Sequence, residues 1–273
     1  MNQQQQQQQC IAFIGGGNMA SALIGGLLRA GRPAALIVVV EPFAAQRQKL
    51  AQTFGVLAQA AADVRLATAG TVVWAVKPQL FAQAAAPCAA YTAHALQLSV
   101  MAGIRSSAIV QASGSERVVR AMPNTPALIG QGIAGLYARP AVDAAGRADV
   151  EALFAPTGTS LWVDREDDLD AVTALSGSGP AYVFYFLEAM VQAAAEMGLS
   201  PDQGRVLAQS TFAGATALAM QSLLSPTALR EQVTSKGGTT HAAITALDAA
   251  GVKAAFVQAL HAARDRAAEL GRG

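Results

Sequence analysis

Apolar positions between Cys10 and about Asp164 fall into short, largely β-branched runs: CIAFIG, ALIVVVE, TVVWAV, LQLSVMAG, RVVRAMPN, GIAGLYA and SLWVD. Ala-rich stretches of helical character separate several of them, one starting near Asn18 and another running through Gln46 to Thr53. Runs that are apolar at every position predict strands covered on both faces. Their alternation with helices predicts an α/β domain over residues 10–164, built on a mainly parallel sheet. From about Arg165 the strand runs stop. Two long Ala-rich segments, Pro180 to Met197 and Pro201 to Leu223, predict helices, with GLSPDQ as the loop and fresh helix start between them. From Gly177 to Leu224 the charged residues are Glu188, Glu196, Asp202 and Arg205. Helices with so little polar surface are buried nearly all round. A domain of about a hundred residues cannot hide them alone, because small domains leave much of their surface exposed. The expectation is an all-α domain over residues 165–273 whose apolar surface is covered by a partner subunit, in an oligomer built through this domain.

Composition narrows the function classes. The 273 residues carry 19 basic and 18 acidic side chains, a net charge of +1, which gives no electrostatic footprint for nucleic acid or an acidic membrane surface. Cys10 and Cys88 are too few for a disulfide framework or a zinc site, and His94, His241 and His261 are too scattered for a ligand pattern, so no metal is expected. Residues 1–9 of the opening MNQQQQQQQC lack the pattern of a signal peptide and read as a disordered polar tail. The least charged long stretch, Val206 to Leu224, holds Gln209, Ser210, Thr211, Thr216, Gln221 and Ser222, too polar for a lipid-facing helix. These features predict a cytoplasmic protein with a small-molecule ligand.

The candidate chemistry starts in FIGGGNMA. Gly15, Gly17 and Ala20 fit the dinucleotide fingerprint, which needs a tight turn, a close backbone approach to a pyrophosphate and a small residue for helix–strand packing. With Asn18 and Met19 they place the amino terminus of a helix, with its N–H groups and positive dipole end, after a strand. Glu41 ends the second strand, where an acid can accept from the ribose hydroxyls of NAD and repel the 2′-phosphate of NADP; Arg47 shortly after it suits the opposite preference. WAVKPQ and AMPNTPALIG break sharply at strand ends, where open parallel sheets bind ligands, which makes Val76, Lys77, Pro78, Asn124 and Thr125 candidates for cofactor contact.

A second glycine turn stands in TSKGGTTHAAITAL. Gly237 and Gly238 precede Thr239 and Thr240, either of which can cap the following helix, and the free N–H groups with Lys236 suit a carboxylate or phosphate. In TALSGSGPAYVF, Gly177, Gly179 and Pro180 read as the end of one helix and the start of the next, with Ser176 and Ser178 as caps and Thr173 as a hydroxyl near the junction.

FIGGGNMA, AVKPQ, RAMPNTPAL, SGSGPAYVF and SKGGTTHAAI, in that order from about Ile11 to Leu270, resemble the pyrroline-5-carboxylate reductases. The resemblance implies an N-terminal Rossmann domain, a C-terminal helical domain that forms dimers and often larger rings of dimers, and reduction of Δ1-pyrroline-5-carboxylate to L-proline in the last step of proline biosynthesis. It implies NADPH as the usual cofactor, while Glu41 keeps NADH open. It further implies that Thr173 hydrogen-bonds the ring nitrogen, that Gly237, Gly238, Thr239 and Thr240 hold the substrate carboxylate, and that Asn124, Thr125, Val76, Lys77 and Pro78 line the nicotinamide end. A hydroxy-acid dehydrogenase would need a base facing the nicotinamide. No Lys lies between Lys77 and Lys236 and no His between His94 and His241, so the central helices lack one. A non-catalytic dinucleotide sensor would not need the second glycine turn.

Overall fold

The computed structural model describes residues 9–272; apart from Gln9, the expected polar tail over residues 1–9 lies outside them. The chain divides into two compact units, one running to Ser178 and resuming at Ala263, the other spanning Gly179–Ala262.

The first unit is built on an eight-stranded sheet in the order β3-β2-β1-β4-β5-β6-β7-β8. The strands are β1 Cys10–Ile14, β2 Ile37–Val40, β3 Leu57–Gln59, β4 Ala69–Trp74, β5 Leu96–Ser99, β6 Val118–Met122, β7 Gly132–Ala138 and β8 Gly158–Trp162. All neighbours pair in parallel except β6 and β7, which run antiparallel. The strands apolar throughout in sequence are buried throughout: Phe13 and Val39 pack on one face with Leu23, Ile24 and Leu50 from the helices Asn18–Arg29 and Ala44–Phe54. Ile14, Val72 and Trp74 pack on the other face with Leu66, Phe81 and Ile109. β1 sits between β2 and β4, so successive connections leave it in opposite directions. That switch opens a crevice at the carboxyl ends of β1 and β4.

Residues 165–178 continue the first unit, although strand patterning ends at Asp164. Arg105 donates to Asp167 (2.9 Å) and Asp170 (3.0 Å), and Arg120 donates to Glu166 (2.9 Å), which fastens the helix Asp168–Val172 and the turn before it to the sheet. The glycines and proline after Thr173 do not break this helix. Thr173–Gly177 is a π turn, closed by the Ser178 amide on the Thr173 carbonyl (2.8 Å), and the helix Gly179–Glu196 follows. Ser176 is therefore not a cap; its hydroxyl donates to the Val172 carbonyl of the preceding turn (3.0 Å).

The second unit is helical: Gly179–Glu196, Pro201–Gln221, Pro226–Gln232, Thr239–Ala249 and the start of Val252–Leu270. Ser200 and Gln203 form a reciprocal capping box at Pro201, as GLSPDQ predicts. Tyr182 and Phe186 meet Phe256 edge to face at 5.7 Å. Much of the apolar surface stays uncovered in one chain: Phe184, Tyr185, Met197, Leu207, Leu218 and Met220 are all more than half exposed, the last at 81%. Large apolar side chains exposed in such number on two helices mark an interaction surface.

Candidate active site

The crevice of the first unit is lined by the first glycine turn. Gly15 takes φ +97°, and a Cβ there would lie 2.6 Å from the Ala75 carbonyl oxygen, so glycine lets the turn after β1 press against the end of β4. The Gly16 peptide is clamped from both sides. Its N–H donates to Glu41 Oε2 (2.9 Å), and its carbonyl accepts from Gln46 Nε2 and Ser21 Oγ. Gly17 sits at the N-cap of the helix with ordinary backbone angles, and nothing lies within 4 Å of where its Cβ would be. The amides of Asn18, Met19 and Ala20 find no acceptor among the described residues. Ala20 is fully buried, which brings the helix close to the sheet. A rigid turn, an open space above Gly17 and a row of unclaimed N–H groups fit the pyrophosphate of a dinucleotide.

Glu41 is turned inward. It is 6% exposed, and its Oε1 accepts from the Phe43 amide (2.9 Å) while Oε2 holds Gly16. The acid is thus engaged with the turn itself, and the group left at the rim is Arg47, whose Nη1 donates to the carbonyls of Glu41 (2.9 Å) and Pro42 (2.7 Å). The contacts of Gln46 and Ser21 with the Gly16 carbonyl, and the part of Glu41 in holding the Gly16 amide, are features that motif reading missed. Only the direction of the Glu41 side chain, which sequence does not carry, would have exposed them.

Val76 and Pro78 are half-buried and Lys77 exposed just beyond β4, and a Cβ on Gly15 would touch Val76 Cγ1 at 3.0 Å. Beyond β6, Asn124 is 9% exposed and both ends of its amide are engaged: Nδ2 donates to the Ser176 carbonyl (3.2 Å) and Oδ1 accepts from the Ile133 amide (3.0 Å). Asn124 thereby ties the β6 exit to the π turn of Thr173, and the exposed Thr125 is the side chain free to meet a ligand. Thr173 is half-buried, and its hydroxyl donates to the Leu169 carbonyl (2.7 Å). In this arrangement its proton points at backbone, which leaves the oxygen lone pairs open to accept.

In the second unit the helix Thr239–Ala249 starts differently from its neighbours. Ser200 and Ser225 cap theirs through side chains, but here the N-cap is Gly238, with Gly237 at φ +78° before it and no side-chain cap. Thr239 and Thr240 are not caps but the first two helical residues. The amides of Thr239, Thr240 and His241 have no acceptor among the described residues. An uncapped helix terminus with Lys236 nearby and open space at Gly237 can take a carboxylate.

Neither cysteine offers a nucleophile: both are buried, and burial pushes the Cys88 thiol up to about 11. Among the described residues no cluster of three or more His, Cys, Asp or Glu is placed to hold a metal, and no single helix is long and apolar enough to cross a membrane.

Comparison with known proteins shows the family. The chain is 46% identical over 262 residues to the pyrroline-5-carboxylate reductase of Pseudomonas aeruginosa, an alignment that covers 94% of this chain and 95% of that protein. The chain belongs to the pyrroline-5-carboxylate reductase family. Members are NAD(P)-dependent oxidoreductases that catalyse the last step of proline biosynthesis. Residues 166–270 match the family model for pyrroline-5-carboxylate reductase dimerisation, and residues 10–103 match that for NADP oxidoreductase, coenzyme F420-dependent. The solved pyrroline-5-carboxylate reductase from Coxiella burnetii superposes with a TM-score of 0.87 at 35% identity, covering 96% of this chain and 98% of that one. The Plasmodium falciparum pyrroline carboxylate reductase, solved with NADP bound, superposes with the same TM-score at 25% identity, covering 97% and 99%. A dimerisation domain accounts for the apolar surface that the helices Gly179–Glu196 and Pro201–Gln221 leave uncovered.

Proposed function

We propose that this chain reduces Δ1-pyrroline-5-carboxylate to L-proline in the cytoplasm, with NADPH as the preferred donor and with dimers joined through the helices of Gly179–Ala262. The observation that carries the reading is the open turn at Gly17, with its unclaimed amides and the empty space where a side chain would be. Gly15, Gly17, Asn18, Met19 and Ala20 hold the pyrophosphate, and Val76, Lys77, Pro78 and Thr125 line the nicotinamide end. When bound, the dinucleotide supplies the hydride. Asn124 acts as a positioning residue, because its amide holds the π turn in place.

Two side chains set the chemistry and the specificity. Thr173, whose hydroxyl donates its proton to the Leu169 carbonyl, offers its oxygen as acceptor to the N–H of the substrate imine in its protonated form, the form most ready to accept hydride. Gly237, Gly238, Thr239 and Thr240 hold the substrate carboxylate. Thr173→Ala is expected to lower kcat by roughly ten- to a hundredfold, the worth of one hydrogen bond to a charged group, with NADPH affinity unchanged. Complete loss of turnover in the folded variant would instead make Thr173 an obligatory proton donor.

For cofactor choice, Arg47 binds the 2′-phosphate, and Glu41 acts through Gly16 rather than on the ribose. Arg47→Gln is expected to weaken NADPH binding by roughly tenfold or more and to leave NADH nearly unaffected, read by fluorescence titration of each cofactor. Equal losses for both would remove Arg47 from the discrimination. The activity itself is tested by following NADPH and NADH oxidation separately, with and without Δ1-pyrroline-5-carboxylate. Substrate-dependent oxidation, faster with NADPH, is the expected result. Cofactor binding without oxidation would leave a dinucleotide sensor. Sedimentation of the same sample separates a dimer from a ring of dimers.

A further inference from the structure

The first unit has a cavity at the opposite end of its strands from the dinucleotide crevice. It measures about 410 Å³ and is lined by Ile11, Leu27, Arg32, Thr71, Asp149 and Leu153 among others. Its volume lies in the range of small-molecule sites, about 300–1,000 Å³. Ile11 and Thr71 are paired neighbours on β1 and β4, so the cavity lies toward the amino-terminal ends of the strands whose carboxyl ends form the dinucleotide crevice. From Ile11 to Gly15 the extended chain covers about 13 Å.

Four polar residues line this space, Gln9, Arg32, Thr71 and Asp149, and the reaction uses none of them. Thr71 is 9% exposed, and its hydroxyl makes no hydrogen bond among the described residues. Since Thr71 lines the cavity and its oxygen is not sealed off from solvent, the hydroxyl opens onto it. Asp149 is half-buried and has neither a hydrogen bond nor an ion pair within 4 Å among the described residues. Burial pushes its carboxyl up, Arg117 and Arg32 draw it back down, and Asp143 adds to the rise. Arg32 is half-buried and donates from Nη1 to the Gln9 carbonyl (2.7 Å). Burial lowers it, while Cys10 and Asp149 raise it. Arg32 and Asp149 thus feel each other's charge across the cavity without meeting. A gap of that kind, floored by Ile11, Leu27 and Leu153, matches a ligand with a positive end, a negative end and a small apolar body.

We propose that this cavity binds a small apolar α-amino acid as its zwitterion, with the ammonium on Asp149 and the Thr71 hydroxyl and the carboxylate toward Arg32. The proposal is independent of the reading of the dinucleotide crevice, because it uses different residues at the other end of the strands.

Calorimetric titration of the full chain with L-valine and with L-proline tests it. Saturable binding is expected for at least L-valine, which is not a ring analogue of the imine substrate. Isobutylamine and 3-methylbutanoate, each with one of the two charges of L-valine, should bind at least tenfold more weakly. Asp149→Asn and the near-isosteric Thr71→Val should each weaken L-valine binding at least tenfold and leave kcat and KM for cofactor oxidation unchanged, with folding checked by thermal melting. The absence of saturable heat with both amino acids would overturn the proposal, as would binding that survives both substitutions. Binding retained by either single-charge analogue at full strength would overturn the zwitterion assignment.

Discussion

Gly17→Ala is expected to leave the protein folded while weakening NADPH binding by roughly tenfold or more, a loss of at least about 1.4 kcal/mol. Gly17 has φ −68° and ψ −167°, which any residue adopts, and its missing side chain faces a space with nothing within 4 Å. Alanine therefore costs the apo protein little, and its melting temperature should stay within about 2 °C of the parent. The added methyl group stands where the pyrophosphate would approach the unclaimed amides. Gly15→Ala provides the contrast. At φ +97° its Cβ would lie 2.6 Å from the Ala75 carbonyl oxygen and 2.8 Å from the carbonyl carbon, and backbone cannot swing aside as a side chain can. Strain of about 1–3 kcal/mol should lower the melting temperature by roughly 5 °C and impair binding as well. A Gly17→Ala protein that binds NADPH as tightly as the parent would show that the pyrophosphate does not pack on this turn.

Glu166→Gln should produce the largest change in stability. Glu166 Oε1 accepts from the Ser106 amide (2.6 Å) and from Arg120 (2.9 Å), and Oε2 accepts from the Ser106 hydroxyl (2.7 Å). Arg120 is 3% exposed, and its Nε has no partner among the described residues, so losing the carboxylate leaves a buried cation without its hydrogen-bonded counter-charge, with only the more distant Asp170 to offset it. Removing one partner of a buried pair costs about 3 kcal/mol, a fall of roughly 6–12 °C in melting temperature. The pH dependence has a definite sign. Burial raises the Glu166 carboxyl, but the Ser106 and Arg120 contacts outweigh it and hold the group below its ordinary 4.5. A carboxylate depressed on folding contributes its full stability above the ordinary value and loses it as pH falls through the lower, folded value. The gap between parent and Glu166→Gln should therefore be constant near neutrality and close in acid. Melting curves that stay equally far apart at low pH would mean that the charge of Glu166 is not what matters.

Most of the sheet could be read from the residues, and the exceptions have physical reasons. β3 escaped because it is three residues long at the sheet edge, with Leu57 54% exposed, so it leaves no apolar run. The reversed direction of β7 did leave a signal. Residues 123–131 are too short a connection for a parallel crossover, which takes about a dozen residues or more. The π turn at Thr173–Gly177 looked like a helix break because glycine and serine favour both, and only the Ser178-to-Thr173 bond distinguishes them. At the candidate site the glycines were legible because backbone geometry demands them. Glu41 and Asn124 were legible as positions but not as roles, since both turn inward onto backbone groups that are distant in sequence.

Residues Ala263–Arg272 belong to the first unit, although the whole of Gly179–Ala262 precedes them in the chain. Leu270 presses on Gly103, and Gly271 lies against the Arg105 guanidinium that also holds Asp167 and Asp170. During synthesis, then, the dinucleotide-binding unit stays unfinished until the helical unit has been made. A nascent chain carries the apolar helices of the assembly surface before the sheet they follow has its last contacts, so the surface that seeks a partner is made before the scaffold that carries the site is closed.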